Sequence, residues 1–525
     1  MKTLYYGGTV LTMADPMYAE AVLVEDGRIC AVGEEGELRA LAGPCREENL
    51  EGGVLLPAFI DPHSHFSQMA SACLQASLDG ADSVEEMEKR IGAFIRETKA
   101  APGSWISARD YDNNRMPGVK NPSLAELDTL APGHPLVIYH KSGHMGLMNS
   151  LALEQLGVTP DTPSPEGGRI ECVDGALTGY LEENAFFTYL KKMPSPGPEE
   201  LLRAFAKAQD KYAAQGIATI QDGMVVEEMI PVYRMLLEQK LLRLDLVAYP
   251  SPEAYPKVME AFSSLPPEAH LRIGGMKIFL DGSPQGRTAW MRTPYLGEKD
   301  YRGYGTMTDE AVLEAMERAC EAGTQLLCHC NGDEAAEQFL RCLEQTEQKH
   351  PEMAKLKPVI IHGQLLGLDQ LERVKKLGAV VSFFVAHVYH WGDVHIRNFG
   401  LERAASISPA RSALDRGIPI TFHQDAPVIQ PDMLETVWCA VNRLTREGVL
   451  LGPEERISAQ EALRAVTENA AWQYSLEDEL GSIRPGKGAD FVLLDRDPLK
   501  TAASELREIR VQKTWKAGEC VYTRT

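Results

Sequence analysis

Residues 52–65 read GGVLLPAFIDPHSH, an apolar run that leads directly into two histidines. A continuous run of this kind is typical of a strand buried on both faces, as in a parallel sheet. The predicted strands of this type lie at residues 54–60, 217–221, 244–249, 275–280, 325–328, 359–361, 379–384 and 418–422. Eight strands that alternate with helices predict an α/β fold of the (β/α)8 TIM-barrel type, whose usual length is about 250 residues.

Helical patterns separate most of these runs. Apolar residues recur in them at spacings of three and four, and several end in a glycine, the residue expected after a helix C-terminus. The clearest patterns lie at residues 201–215, 308–322, 334–347, 403–416 and 433–446.

Both ends of the chain carry short strand-like runs separated by turn residues. These runs lie at residues 8–13, 21–25, 29–32, 489–494 and 511–516. Neither end has enough strands to close a core by itself. We therefore expect residues 1–56 and 482–525 to pair into one small β-sandwich domain, with the barrel at residues 57–481.

More chain separates the first two predicted barrel strands than one helix needs. Residues 66–195 are rich in proline and glycine, as in TPDTPSPEGG at 159–168. Long excursions after a barrel strand usually shape access to the substrate. The stretch therefore predicts a lid-like insertion over the barrel mouth.

The composition excludes several classes of protein. Its 44% apolar and 24% charged residues over 525 positions match a globular protein. The net charge of −22 disfavours nucleic acid and anionic membranes, so we expect a small-molecule substrate. No apolar run is long enough for a membrane span, and the start lacks the apolar core of a signal peptide. The ten cysteines include no CxxC pair, which indicates reduced thiols and a cytoplasmic location. A homodimer is left open.

Two histidines follow the first predicted strand, His63 and His65. Side chains at i and i+2 of a strand end point to the same side, so both imidazoles could reach one cation, and imidazole suits zinc. The HxH pattern alone is unspecific, because chance pairs occur on surface loops.

Other polar residues strengthen the zinc interpretation. Lys277 lies inside an apolar strand, where a bare ammonium is costly to bury. His329, His362 and Asp425 each lie at or just beyond the end of a different predicted strand. Barrel active sites are built on this face, so the set predicts a metal centre.

The chemistry of these side chains indicates how they would divide between one or two zinc ions per subunit. His63, His65 and Asp425 would hold one ion, and His329 and His362 a second. Lys277 would bridge them only as a carboxylated lysine, which converts a buried cation into an oxygen ligand. The alternative is an ordinary ion pair between Lys277 and Asp281.

The ordered motifs resemble the amidohydrolase superfamily, and most closely its YtcJ-like branch, amidohydrolase family 3. They are GGVLLPAFIDPHSH, SGHMGLMNS, EGGRIECVDGALTGYLEENA, MKIFLDGSPQGRTA, CHCNGD, IHGQ, FHQDAPV and LGSIRPGKGADFVLLDRDP. The resemblance spans nearly the whole chain. It implies a metal-dependent barrel hydrolase with a split β-domain and the ligands His63, His65, Lys277, His329, His362 and Asp425. One departure is Gln424, where the family often has serine.

A mechanism follows from this ligand set. Zinc lowers the pKa of bound water towards about 7, and the hydroxide would attack a carbonyl carbon. Asp425 would act as general base and then as general acid towards the leaving nitrogen. The residues that could bind the substrate, or else are ordinary loop residues, are His144, His387, His390 and Trp391, with weaker candidates in Tyr111 and Asp112.

Hydrolysis of a C–N bond of the amide type in a small molecule is the leading function. A deaminase on the same fold usually carries glutamate three residues after the fifth-strand histidine, where this chain has Gly332. An esterase or lactonase would use the same hydroxide. A non-catalytic scaffold would have no physical need for the full ligand set.

Overall fold

The computed structural model describes residues 2–141 and 144–525. The chain divides into two compact units, one formed by Met1–Phe66 with Ala208–Thr525 and the other by Ser67–Lys207. None of the helices in the described ranges is long and apolar enough to cross a membrane.

Two parallel sheets form the centre of the first unit. In spatial order, the four-stranded sheet contains Leu271–Ile273, Asp245–Pro250, Ile217–Val225 and Phe59–Ile60. The five-stranded sheet contains Gly275–Phe279, Gln325–Cys330, Val359–His362, Val380–Phe383 and Ile420–Phe422. Nearly every residue of these strands is buried, which explains their continuous apolar sequence. The α/β class is confirmed, and closure into one TIM barrel stays a prediction.

Helices connect these strands as the apolar spacing predicts. Asp309–Ala322 begins where Thr308 accepts a hydrogen bond from the Ala311 N–H, and it ends at Gly323, whose φ of 60° favours glycine. The helices of this unit, two of which extend across its boundary, are Glu35–Ala42, Phe66–Cys73, Pro198–Ala213, Met229–Glu238, Tyr255–Phe262, Asp309–Ala322, Asp333–Lys349, Leu368–Lys376, His387–Phe399, Leu401–Ala405, Ala410–Asp415, Met433–Asn442, Ala459–Ala465 and Glu468–Gln473.

Two predicted elements are each divided in the structure. The helix predicted at 403–416 is in fact two helices, Leu401–Ala405 and Ala410–Asp415, because Pro409 disfavours a helical Ser408, whose φ is +47°. The strand predicted at 54–60 is also two strands. Val54–Pro57 joins a sheet of the chain ends, and Phe59–Ile60 joins the parallel sheet.

The two chain ends pair with each other. One sheet has the order Glu519–Thr523, Val511–Lys516, Phe491–Leu494, Val54–Pro57, Thr9–Leu11 and Tyr18–Ala19. A second has the order Arg28–Gly33, Ala21–Glu25, Lys2–Tyr6 and Arg46–Asn49. Tyr5, Phe491 and Trp515 pack edge to face between them, with ring centroids 5.2 and 5.5 Å apart. The exact domain boundaries and the sandwich arrangement stay predictions.

The second unit has its own mixed sheet and apolar core. The strand order is Gly168–Val173, Ala176–Glu183, Met145–Met148, Leu136–His140, Ile106–Tyr111 and Gln75–Ser77. Its helices are Val84–Thr98, Leu124–Leu130, Ser150–Gln155 and Asn184–Leu190. Residues 67–207 therefore form a compact body, while the bounds of 66–195 and the role as a lid stay predictions.

Candidate metal centre

Three predicted ligands converge at the ends of two parallel strands. His63 and His65 follow Phe59–Ile60, and Asp425 follows Ile420–Phe422. The Nε2 atoms of His63 and His65 lie 3.2 and 3.3 Å from Oδ1 of Asp425. A tetrahedral zinc ion about 2.0 Å from each ligand separates neighbouring donor atoms by roughly 3.3 Å. The spacing of these three atoms therefore fits one ion.

Hydrogen bonds determine which nitrogen of each ring faces Asp425. His63 Nδ1 lies 2.6 Å from Gln221 Oε1, and His65 Nδ1 lies 2.9 Å from the carbonyl oxygen of Gly223. The Gln221 amide nitrogen donates to the Pro62 carbonyl, so its oxygen must face His63. Both acceptors require a proton on Nδ1, which leaves a lone pair on each Nε2.

The resulting arrangement suits a cation that contacts all three atoms. Two nitrogen lone pairs point at a carboxylate oxygen, and that buried oxygen finds no hydrogen-bond donor within the described part of the chain. An unsatisfied buried carboxylate oxygen is costly, whereas a divalent ion would satisfy all three atoms at once. The donor set therefore fits a metal ion of the zinc type.

Lys277 extends this cluster. Its Nζ atom lies 2.9 Å from His63 Nε2 and 4.6 Å from the centroid of the Phe279 ring. Burial lowers the pKa of Lys277 to about 8, so its neutral amine becomes accessible near physiological pH. A neutral amine is the form that can react with carbon dioxide.

Asp281 contacts His329 instead of Lys277. One of its oxygens lies 3.2 Å from His329 Nδ1, and its carboxylate also accepts the backbone N–H groups of Trp290, Asn331 and Gly332. The Lys277–Asp281 ion pair considered from the sequence is not among the ion pairs of the described residues. Asp281 orients His329.

The remaining predicted ligands lie beside the first three. The rings of His329 and His362 are 4.5 Å apart, and His362 Nε2 lies 4.0 Å from Oδ2 of Asp425. His362 and Asp425 have φ values of 75° and 55°, which are unfavourable for residues other than glycine. The structure thus brings all six predicted side chains together, and their role as ligands stays a prediction.

The electrostatics keep the cluster in a ligand-competent form. Burial and then the charge of Lys277 lower the pKa of His63 to about 3, so the ring is neutral. Burial alone would raise the pKa of Asp425, but His362, His63 and His65 in their protonated forms outweigh it and hold that pKa well below its usual range, so the carboxylate is already ionised when the rings become neutral. Neutral imidazoles and an ionised carboxylate are the forms that bind metal.

Sequence reasoning missed the residues that support the ligands, among them Gln221, Ser382 and His423. The spacing of His423 and Asp425 could have indicated one of them, because both lie on the same side of a strand end. The intervening Gln424 points the opposite way, and its amide nitrogen lies 2.6 Å from Thr436 Oγ1. Gln424, the residue that departs from the family pattern, therefore faces a helix and not the cluster.

The helix His387–Phe399 carries three predicted substrate residues. The buried ring of His387 lies 4.6 Å from the ring of Phe384 and 4.5 Å from that of Trp391. His390 is held by Glu435, with 2.8 Å between Nε2 and Oε1. Whether these side chains contact a substrate stays a prediction.

The other predicted substrate residues lie in the second compact unit. Tyr111 is buried and donates to Asn121, and Asp112 accepts the Asn114 N–H at the start of a 3-10 turn. His144 is exposed, with Nδ1 3.2 Å from Glu183 Oε2. Substrate binding by these three residues also stays a prediction.

The chain is similar to known proteins over nearly its whole length. A family model described as the amidohydrolase family matches residues 46–522. The N-substituted formamide deformylase of Arthrobacter pascens is 30% identical, over 97% of this chain and 95% of its own. The putative amidohydrolase YtcJ of Bacillus subtilis (strain 168) is 27% identical over 100% of both chains. The crystal structure of an uncharacterized metal-dependent hydrolase from Pyrococcus horikoshii OT3 is 25% identical, with a TM-score of 0.78 over 96% of this chain and 99% of its own.

Proposed function

The chain belongs to the amidohydrolase family, and on that premise we propose that it is a metal-dependent hydrolase of amide-type C–N bonds in small molecules. The observation that carries the proposal is the convergence of His63 Nε2, His65 Nε2 and Asp425 Oδ1 on one point. The name of the 30% identical relative, a formamide deformylase, directs the choice of substrate class.

We propose zinc as the ion, because two imidazoles and a carboxylate are a common zinc donor set. His63, His65 and Asp425 would hold the first ion, and His329 and His362 a second. Lys277 would join both sites as a carboxylated lysine, which its burial and lowered pKa support. When bound, such an ion polarises a carbonyl group and acidifies a water molecule.

Asp425 is the proposed proton carrier. Its Oδ1 faces His63 and His65, while its Oδ2 lies 4.0 Å from His362 Nε2 and is not held by either of the first two rings. One carboxylate oxygen can therefore remain with the ligands while the other accepts a proton from water. The same oxygen would then deliver that proton to the leaving nitrogen, so Asp425 would act first as a general base and then as a general acid.

His387 is the proposed donor to the substrate carbonyl oxygen. Its Nδ1 lies 3.1 Å from Nε2 of His395, and His395 Nδ1 is buried without a partner in the described ranges. A proton on His395 Nδ1 would be a buried unpaired N–H, so the proton belongs on its Nε2 and is donated to His387. His387 then carries its own proton on Nε2. Trp391 and His390 would extend this surface, and substrate binding by His144, Tyr111 and Asp112 stays a separate prediction.

Aromatic rings support a neutral substrate. Phe279 lies 4.9 Å from the His329 ring, and Phe384 lies 6.2 Å from the His362 ring, measured between centroids. Apolar rings beside the candidate ligands favour an uncharged N-substituent over a charged one. Formamides with an uncharged N-substituent are therefore the first compounds to test, followed by cyclic amides, with N-acyl amino acids as the charged comparison class.

Deamination is disfavoured by the loop after His329. A side chain at Gly332 would place its Cβ 1.9 Å from the carbonyl oxygen of Trp290, so the backbone leaves no room for a glutamate there. Ester or lactone hydrolysis is the second candidate, because the same ligand set would attack either carbonyl. The ten cysteines are all free, which supports a reducing compartment such as the cytoplasm.

The test combines metal removal with paired substrates. The purified protein should hydrolyse an N-substituted formamide, lose at least 95% of that activity after dialysis against a chelator, and regain it with zinc. A formate ester of the same substituent serves as the competing substrate. Asp425→Asn should abolish turnover. Full turnover by the metal-free protein would refute the proposal, and a strong preference for the ester would favour the second candidate.

A further inference from the structure

A second histidine supports the ring of His362. Nδ1 of His362 lies 3.1 Å from Nε2 of His423, and Nδ1 of His423 lies 2.8 Å from Oγ of Ser382. All three side chains are buried. They come from consecutive, hydrogen-bonded parallel strands or from the residue directly after one, so the sheet itself sets these distances.

The positions of the protons follow from the role of His362. If Nε2 of His362 offers its lone pair to an ion, its proton must lie on Nδ1 and be donated to His423 Nε2. His423 then carries its proton on Nδ1 and donates it to Ser382 Oγ. The opposite arrangement, with His423 donating to His362, would put a proton on His362 Nε2 and remove the lone pair.

The support of His362 differs from that of the other histidines. His329 faces the Asp281 carboxylate, His63 faces the Gln221 amide oxygen, and His65 faces a backbone carbonyl oxygen. Each of these acceptors can only receive a proton. His423 can either receive or donate one, so the state of His362 depends on His423 and Ser382.

We propose that His423, oriented by Ser382, is the positioning residue of His362, and that it holds the Nε2 lone pair of His362 towards the metal ion. The inference rests on the proposed metal centre. Outer partners of ligating histidines typically change metal affinity by 10–100-fold when they are removed.

Two substitutions at the same position separate the hydrogen bond from packing. His423→Gln keeps an acceptor oxygen near the place of Nε2, whereas His423→Phe keeps a ring but removes the acceptor. We expect His423→Phe to bind zinc at least tenfold more weakly than the unmodified protein in a competition titration with a chromophoric chelator. His423→Gln should stay within about threefold.

Gln424→Met is the matched control. Gln424 is the next residue, is equally buried, and faces the opposite side of the strand. The Gln424→Met variant should bind zinc with the same affinity as the unmodified protein. Ser382→Ala, which removes a single oxygen atom, should weaken zinc binding about three- to tenfold and provides a second measurement if His423→Phe fails to fold.

The outcomes distinguish this inference from the proposed function. If the unmodified protein binds no divalent ion, the proposed function itself fails. If the unmodified protein binds zinc and His423→Phe and Ser382→Ala bind it equally well, only the positioning role is refuted. Equal losses in Gln424→Met and His423→Phe would also refute it, because packing would then explain both.

Discussion

At the scale of single residues, the proposed metal centre depends on which nitrogen of each histidine faces the cluster of candidate ligands. Four different groups lie behind the four candidate histidine ligands. Three of them can only accept a proton and so fix a tautomer, whereas His423, behind His362, can accept or donate one. A ring turned or protonated the other way would present an N–H to the ion. In the proposed metal centre, these groups would therefore influence metal binding by setting the tautomer of each candidate ligand.

Gly223 provides a test at this scale. A Cβ atom at this position would lie 3.1 Å from His63 Cε1, 3.1 Å from Lys277 Nζ and 3.3 Å from His65 Cε1. We expect Gly223→Ala to displace these side chains and to weaken zinc binding by at least tenfold in an equilibrium titration.

Gly33→Ala is the control for this test. A Cβ atom at Gly33 would meet nothing within 4 Å, so that variant should bind zinc as the unmodified protein does. Unchanged zinc affinity in Gly223→Ala would contradict the site described above.

At the scale of single elements, the ends of helices depend on a few local residues. The helix Asp309–Ala322 ends at Gly323 in the left-handed region, and a Cβ there would meet nothing within 4 Å. A side chain at residue 323 would therefore meet no steric crowding, and only the positive φ makes glycine more favourable there than other residues.

Alanine substitutions at two glycines should have opposite effects. Gly323→Ala should lower the free energy of unfolding by about 1 kcal/mol, because alanine disfavours a positive φ. Gly36→Ala should raise it by up to about 1 kcal/mol, because Gly36 lies within the helix Glu35–Ala42 with open space around it. Urea titrations followed by circular dichroism measure both, and effects of the same sign would show that these local arguments fail.

At the scale of the whole molecule, a partly buried ion cluster joins the sheet of the chain ends to a parallel sheet of the same unit. Lys516, at the end of Val511–Lys516, pairs with Asp490 and with Asp245, the first residue of Asp245–Pro250. His270 lies 2.7 Å from the other oxygen of Asp245. Removing one partner from this cluster leaves the buried Lys516 and Asp490 less well compensated.

This cluster predicts how stability depends on pH. Burial opposes ionisation of Asp245, but Lys516 and His270 outweigh it and lower the pKa to about 2. A carboxyl with a lowered pKa stabilises the fold above its unfolded pKa of about 4 and loses that contribution as pH falls towards 2. The free energy of unfolding should therefore fall between about pH 4 and pH 2.

Asp245→Asn tests this pH dependence. The variant should be less stable at pH 7, and the part of the acid dependence that belongs to Asp245 should disappear. Denaturant titrations at a series of pH values measure both effects. If the free energy of unfolding of the variant falls as steeply towards low pH as that of the unmodified protein, other carboxyls cause the acid dependence.

Much of the fold follows from local sequence. The apolar runs locate the buried strands because a strand covered on both faces admits few polar residues. Glycine before a strand predicted the end of Asp309–Ala322, and proline could have predicted the break at Pro409. The positions of five of the six candidate ligands follow from the rule that barrel active sites are built at the carboxyl ends of the strands, whereas Lys277 lies inside Gly275–Phe279.

The amino-acid sequence by itself therefore determined which residues enter the strands and which side chains stand at their ends, because both depend on neighbours along the chain. Only the tertiary structure decided that Asp281 faces His329 rather than Lys277, and that His423 and Ser382 support His362. These contacts join residues far apart in sequence, and their distances depend on how strands pack side by side. The chemistry proposed for the metal centre therefore depends on those distances.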